Sequence, residues 1–299
     1  MQHLLEFLLF QCFRFFINCF PLSLSLKIGS GLGHFTFSVL KIRRNLVLNQ
    51  LAQAYFFPNS DSERHRLARS IYKNCGKNLV EFCRLPFLGK KYLDRFVQVR
   101  GIENLERARQ AGQGVLLSMA HLGNWELVTF VLGLMRLPIT CVGKTLRNSY
   151  FNSLVFRFRS AHGMTMIEHK QAALKLSQTL KKNGIGIIIM DQDAAGDGIF
   201  VNFLNRPAST YTTLGALANL FQCPVVPLYF IRKNNLYHEV IFYEPLYINK
   251  EGSREERILD LTQRISTHLE NQIRRYPDQW FGWLHQRWKT QKPSTKNLS

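Results

Sequence analysis

From residue 115 to residue 230 the chain alternates four short, nearly all-apolar runs (115–119, 139–143, 185–190 and 225–230) with stretches of helical periodicity (125–136, 150–161, 170–182 and 212–221). Apolar runs of roughly five to eight residues suit strands buried on both faces, and a helix between successive strands is what covers those faces. The pattern predicts the α/β class: a central mixed β-sheet flanked by helices in αβα layers. Residues 199–203 and 236–243 are further strand candidates. Amphipathic helices are expected over 61–85 and 254–275, the second with Ile258, Leu261, Ile265, Leu269 and Ile273 on one stripe and Pro277 beyond its end. The chain shows no internal repeat, which excludes collagen, coiled-coil and solenoid architectures.

Charge and aromatic content narrow the partners. The 299 residues carry 39 Lys+Arg against 20 Asp+Glu, a formal charge of +19, so an anionic partner is implied: nucleic acid, an acidic protein or a phospholipid surface. Much of the Phe excess gathers beside Leu in the first sixty residues, as in a chain that touches lipid. Residues 4–20 read LLEFLLFQCFRFFINCF before Pro21, with Gln11, Arg14 and Asn18 on one helical stripe and Leu and Phe on the rest. Such a helix would rise about 25 Å, short for a hydrocarbon core of roughly 30 Å, so it is expected to lie in, or enter obliquely, one leaflet. A buried helix of an ordinary domain is the competing reading. No basic residue precedes the run, Glu6 sits within it and no A-x-A site follows, so it is expected to be retained rather than cleaved as a signal. Lys27, Lys41, Arg43 and Arg44 follow it and favour the cytoplasmic, anionic side. The six cysteines form no CxxC pair, which argues against a disulfide framework or zinc ribbon.

Two glycine signals fail as nucleotide motifs. Gly29, Gly31 and Gly33 start like a dinucleotide fingerprint, but His34 occupies the position of the third required glycine and no strand precedes; Gly143-Lys144-Thr145 lacks the earlier glycine of a phosphate loop, where Pro138 stands. The informative constellation is His121-Leu-Gly-Asn-Trp-Glu126, between the 115–119 run and a helical stretch. On one continuous helix the two side chains would point about 140° apart, so the chain must bend: Gly123 permits a turn, Asn124 is a natural N-cap, and Glu126 falls in the first helical turn. From there its carboxylate is expected to reach back to His121, leaving the other ring nitrogen to take a proton from a hydroxyl. A histidine that merely satisfies a loop remains the alternative. Asp191 and Asp193 invite two further readings, as caps of the turn made by Gly196 and Gly198 or as a metal site, although no histidine joins them at ligand spacing.

In its fuller form HLGNWE resembles the bacterial lipid A late acyltransferase family, within the glycerolipid acyltransferase superfamily that carries His-x4-acid after a buried strand. Other blocks agree in order: Phe57-Pro58 ahead of Ser62-Glu63; Lys144, Arg147, Asn148, Arg159 and Gly163; Asp191-Gln192-Asp193 followed by Gly198-Ile-Phe200-Val201; and the closing Pro277-Asp-Gln-Trp280-Phe-Gly-Trp283-Leu-His285-Gln-Arg287-Trp288-Lys289. The chain departs from the family wording at Asn202-Phe203-Leu204-Asn205.

The resemblance implies transfer of a fatty acyl chain from a thioester, on acyl carrier protein or CoA, to a hydroxyl of a lipid A precursor at the cytoplasmic face of the inner membrane. No metal or other cofactor and no nucleic-acid partner is expected. His121 and Glu126 would be catalytic, and Asn124, Lys144, Arg147, Asn148, Arg159, Asp191, Gln192 and Asp193 would bind substrate. Loop amides near Gly123, or Arg159, would stabilise the oxyanion. Trp280, Trp283 and Trp288 read as packing or membrane-interface aromatics. The expected organisation is a membrane-anchoring region over 1–60, a catalytic domain over 61–290 and a loose polar tail over 291–299. Another lipid acceptor, such as a mannosylated phosphatidylinositol or an ornithine lipid, and a non-catalytic basic binding protein are the alternatives.

Overall fold

The structure, a computed structural model, describes residues 1–54, 60–134, 138–143, 145–161, 163–168 and 171–291. In chain order these form α1 (Gln2–Asn18), α2 (Leu22–Phe35), a π-helical turn (Thr36–Leu40), α3 (Arg44–Gln53), α4 (Asp61–Arg84), α5 (Lys90–Phe96), β1 (Val97–Arg100), α6 (Ile102–Gln110), β2 (Val115–Met119) and α7 (Trp125–Leu134). There follow β3 (Ile139–Gly143), α8 (Ser149–Ser160), β4 (Thr165–Glu168), α9 (Ala172–Lys181), β5 (Ile185–Ile189), β6 (Ile199–Phe203), β7 (Arg206–Thr210), α10 (Thr213–Phe221), β8 (Val225–Arg232), β9 (His238–Phe242) and α11 (Arg254–Arg275).

Seven strands make one sheet in the order β1-β9-β8-β2-β5-β3-β4, parallel at every step except β8 against β9. The four apolar runs seen in the sequence are its centre, β8-β2-β5-β3, and nearly every residue in them is buried. Alternation divides them between two cores. Leu117, Met119, Ile185 and Ile187 pack with α7 and α8 on one face, while Leu116 and Ile188 pack with α9, α10 and α11 on the other. The 199–203 segment is a strand, but it pairs with β7 in a separate hairpin rather than joining the sheet. The edge strands β1 and β4 have no apolar run, and their sequences, VQVR and TMIE, leave part of each strand exposed.

The amino-terminal helices pack on α4. Ser25, Gly29 and Gly33 lie on one stripe of α2, and a Cβ on Gly33 would stand 2.0 Å from the Tyr72 carbonyl oxygen; Gly29 and Gly76 are equally tight against each other. These glycines, two of them from the failed nucleotide motif, serve a close helix crossing. Helix α1 is turned the other way from a helix of a water-soluble protein. Its polar stripe faces the body: Arg14 lies over the rings of Phe158 and Phe87, and Asn18 donates to the Cys83 carbonyl. Leu5, Leu9, Phe15 and Phe16 face outward and exposed. Among the described residues no helix is long and apolar enough to cross a membrane.

Candidate active site

The carboxyl ends of the central parallel strands converge on one spot, the usual position for a site in an open α/β sheet. Strand β2 runs into His121 and Gly123, whose φ of 65° is left-handed. A Cβ there would fall 1.6 Å from the Phe230 carbonyl oxygen, so only glycine fits. The loop is held from both sides. The Gly123 N–H donates to the Gln279 carbonyl at 3.0 Å, Asn124 N–H to the Phe230 carbonyl at 3.2 Å, and Phe281 N–H to the His121 carbonyl at 2.8 Å. Asn124 accepts from the Glu126 N–H at the start of α7, the capping expected of it, and places Glu126 in the first turn.

The pairing expected between His121 and Glu126 is corrected by the structure: the carboxylate on the histidine is Asp191. His121 Nδ1 is 2.8 Å from Asp191 Oδ1, the His121 amide donates to Oδ2 at 3.0 Å, and the Trp280 indole N–H donates to the same oxygen at 2.8 Å. The register explains it. In the parallel β2/β5 pair Met119 stands opposite Ile189, so two residues further along each chain bring His121 beside Asp191. Asp191 is therefore part of the histidine's own apparatus rather than a substrate contact. Glu126 instead forms a two-pronged ion pair with Arg159, through Nε at 2.9 Å and Nη2, and accepts from the Trp125 indole at 3.0 Å. Gly143, at the end of β3, borders the pair: Arg159 Nη1 lies 3.7 Å from where its Cβ would be, an ordinary contact distance.

Electrostatics follow this partition. Burial alone would depress the His121 imidazole, but the Asp191 charge and hydrogen bond, helped by Glu126, outweigh it and the net shift is upward. Burial pushes the Asp191 carboxyl up, and His121 and Trp280 more than offset that, holding it at about 2. Glu126 is likewise lowered, because Arg159 outweighs its burial. The His121 side chain is 19 % exposed whereas Asp191 has no exposure, so the ring reaches solvent and its partner does not. Trp125 and Phe281 flank the ring, with centroids 5.1 Å and 6.4 Å from it.

Other expected substrate ligands have structural duties. Asn124 is fully buried and donates to Glu81, which is in turn clamped by Arg232 at 2.6 Å and 2.8 Å and contacted by His238 at 3.0 Å. Asn148 caps α8 and donates to the His3 carbonyl and Glu6, tying α1 to α8. Asp193 accepts from the Ala195 and Thr290 amides and the Thr290 hydroxyl, which is the turn-capping reading. Arg147 is exposed on the loop before α8 and Gln192 is half-buried beside Asp191, while Lys144 lies outside the described residues. The Gly123 and Asn124 amides are committed to carbonyls, so neither is free to hold an oxyanion. Trp280, Trp283 and Trp288 are buried, so none is a membrane-interface aromatic.

Trp280 fixes Asp191, and Glu81, Asn78 and Arg232 brace the loop, none of them expected from the sequence. Only the Trp-rich closing block hinted at the first, and no local signal marks the second.

A family model for bacterial lipid A biosynthesis acyltransferases matches residues 1–290. The chain is 24% identical over 275 residues to a lipid A biosynthesis palmitoleoyltransferase of Escherichia coli K12, covering 91% of this chain and 87% of that one. It is 21% identical over 205 residues to a lipid A biosynthesis acyltransferase of Haemophilus influenzae, a match that spans 68% of this chain but 63% of the length of that relative. A phosphatidylinositol mannoside acyltransferase of Mycobacterium tuberculosis is 24% identical over 138 residues, 44% of each chain. With the family model running from the first residue through the closing tryptophan block, the chain belongs to the bacterial lipid A biosynthesis acyltransferase family of acyl-transferring enzymes.

Proposed function

We propose that the protein moves a fatty acyl group from a thioester on acyl carrier protein to a hydroxyl of a lipid A precursor at the cytoplasmic face of the inner membrane. The observation that carries this reading is the chain Trp280–Asp191–His121 at the end of β2, with only the last member reaching solvent. Asp191 holds the proton on Nδ1, so Nε2 is the basic nitrogen that takes the hydroxyl proton as the oxygen attacks the thioester carbonyl. The tetrahedral adduct collapses by breaking the C–S bond, and the proton returns from Nε2 to the departing thiolate. Glu126 acts through Arg159: the pair leaves Nη1 out of its two hydrogen bonds, a fixed charged donor for the developing oxyanion. Its guanidinium is thereby spent on Glu126 and the oxyanion, so acceptor phosphates fall to the exposed Arg147.

The outward Leu and Phe of α1, continued by Phe35, Val39, Leu40 and Ile42, dock in one leaflet, with Lys41 and Arg43 next to them on anionic headgroups. The charge of +19 favours an acidic carrier protein as donor. The Mycobacterium relative supports a second reading, the same chemistry on a mannosylated phosphatidylinositol, but over a much shorter match than the lipid A enzymes. Mass spectrometry of lipid fractions made with and without the protein tests both: a gain of one acyl chain on lipid A is expected. A gain confined to another lipid, or none, overturns the lipid A assignment.

A further inference from the structure

Asp191 also lines a small internal cavity of about 10 Å³, roughly the room one water needs, together with Ser118, Tyr229, Ser266 and Arg287. Arg287 is 1% exposed. It donates through Nη1 to the Ser209 carbonyl and through Nη2 to the Thr210 hydroxyl at 2.6 Å, and its guanidinium lies over the Phe203 ring. Its buried Nε has no protein partner among the described residues, and no carboxylate there pairs with it directly. A guanidinium in such a place requires an opposing charge. Asp191, on the same cavity, is that charge.

The need is mutual. A histidine that acts as a base rests neutral, which leaves Asp191 a buried anion with dipoles but no cation in contact. His121 Nδ1, its amide and the Trp280 indole occupy three of the roughly four acceptor positions of the carboxylate, so one remains. We propose that Arg287 is a positioning residue of the acyl-transfer site: a buried counter-charge to Asp191, joined to it by one water held between Nε and the carboxylate, that keeps His121 neutral. This rests on the acyl-transfer reading above. The other charged or titratable groups near the pair do not replace it. Glu126 and Arg159 neutralise each other, Tyr229 is held neutral by burial and bonded to His268, the His285 ring is tilted against that of His121 at 6.2 Å, and Asp193, whose charge also favours the Arg287 cation, does not line the cavity and is bonded to the Ala195 amide and Thr290.

Removing the guanidinium takes away a cation that opposes the imidazolium, so the affinity of His121 for its proton must rise. The experiment is an NMR titration of His121 in the full chain, alongside the pH profile of acyl transfer, for the native protein, Arg287→Gln and Arg287→Lys. Arg287→Gln is expected to raise the proton affinity of His121 at least about threefold and move the acid limb of the profile to higher pH, while Arg287→Lys stays near native. An unmoved His121 in Arg287→Gln, or an equal shift in Arg287→Lys, overturns the proposal. Should either variant fail to fold, a high-resolution crystal structure of the native protein decides: a water bridging Nε and Asp191 supports it and none overturns it. Absence of acyl transfer in the native protein would sink the function and leave the titration still informative.

Discussion

Among the described residues two groupings bring together histidine, carboxylate and arginine, and they behave in opposite ways. At the strand ends His121 meets Asp191 while Arg159 takes a different acid, Glu126; the imidazole is pushed up and its side chain is 19% exposed. Below the loop, His238 and Arg232 share one acid, Glu81, and His238 is fully buried and pushed down, burial being the largest influence. Where the arginine shares the carboxylate, the acid's pull on the histidine does not overcome burial and the cluster is a brace. When a second carboxylate draws the arginine off, the first acid is free to tune the histidine. Reactivity here depends on how the acids are divided, not on which residues are present.

The comparison breaks most visibly at the ring itself. His121→Ala should fold and lose at least about a hundredfold in kcat/KM, and Asp191→Asn should lose as much by leaving Nδ1 with the wrong partner; steady-state acyl transfer on purified protein checks both. Glu81→Gln inverts the pattern, costing about 3–5 kcal/mol in denaturant unfolding by stranding buried Arg232, with less than about a tenfold change in activity per folded molecule. A smaller effect is expected from Trp280→Phe, which removes one hydrogen bond to Asp191 and should lower kcat about tenfold while KM holds.

The subtlest contrast is in pH. His121 binds its proton more tightly folded than unfolded, so its contribution to stability is full below about 6.5 and is lost as pH rises through its higher folded value. His238 is shifted down, so it weakens the fold as pH falls below about 6.5. Thermal melts from acid to neutral pH should show the deficit of His121→Ala largest on the acid side. The rate itself should fall on that side too, with a midpoint above about 6.5, since a protonated ring cannot accept the hydroxyl proton.

What could be read beforehand was what is local. The four central strands, the last helix with its apolar stripe and the Asn124 cap all declare themselves within a few residues, through apolar runs and cap chemistry. The partner of His121 did not, because it depends on β5 lying beside β2, a fact of strand order that no spacing along the chain encodes. Glu126 is much the nearer acid along the chain, five residues from His121 against seventy for Asp191. The brace is further out of reach still: Glu81 and Arg232 are 151 residues apart. Edge strands β1 and β4 escaped notice because an edge needs fewer apolar residues than a centre.

Helix α1 cannot be trimmed away as a detachable handle. Its inner side covers Phe151 and Phe158, and its start is stitched to the cap of α8. Deleting it would trade one greasy surface for another, so anyone preparing this enzyme for study must keep the greasy keel and supply detergent for it.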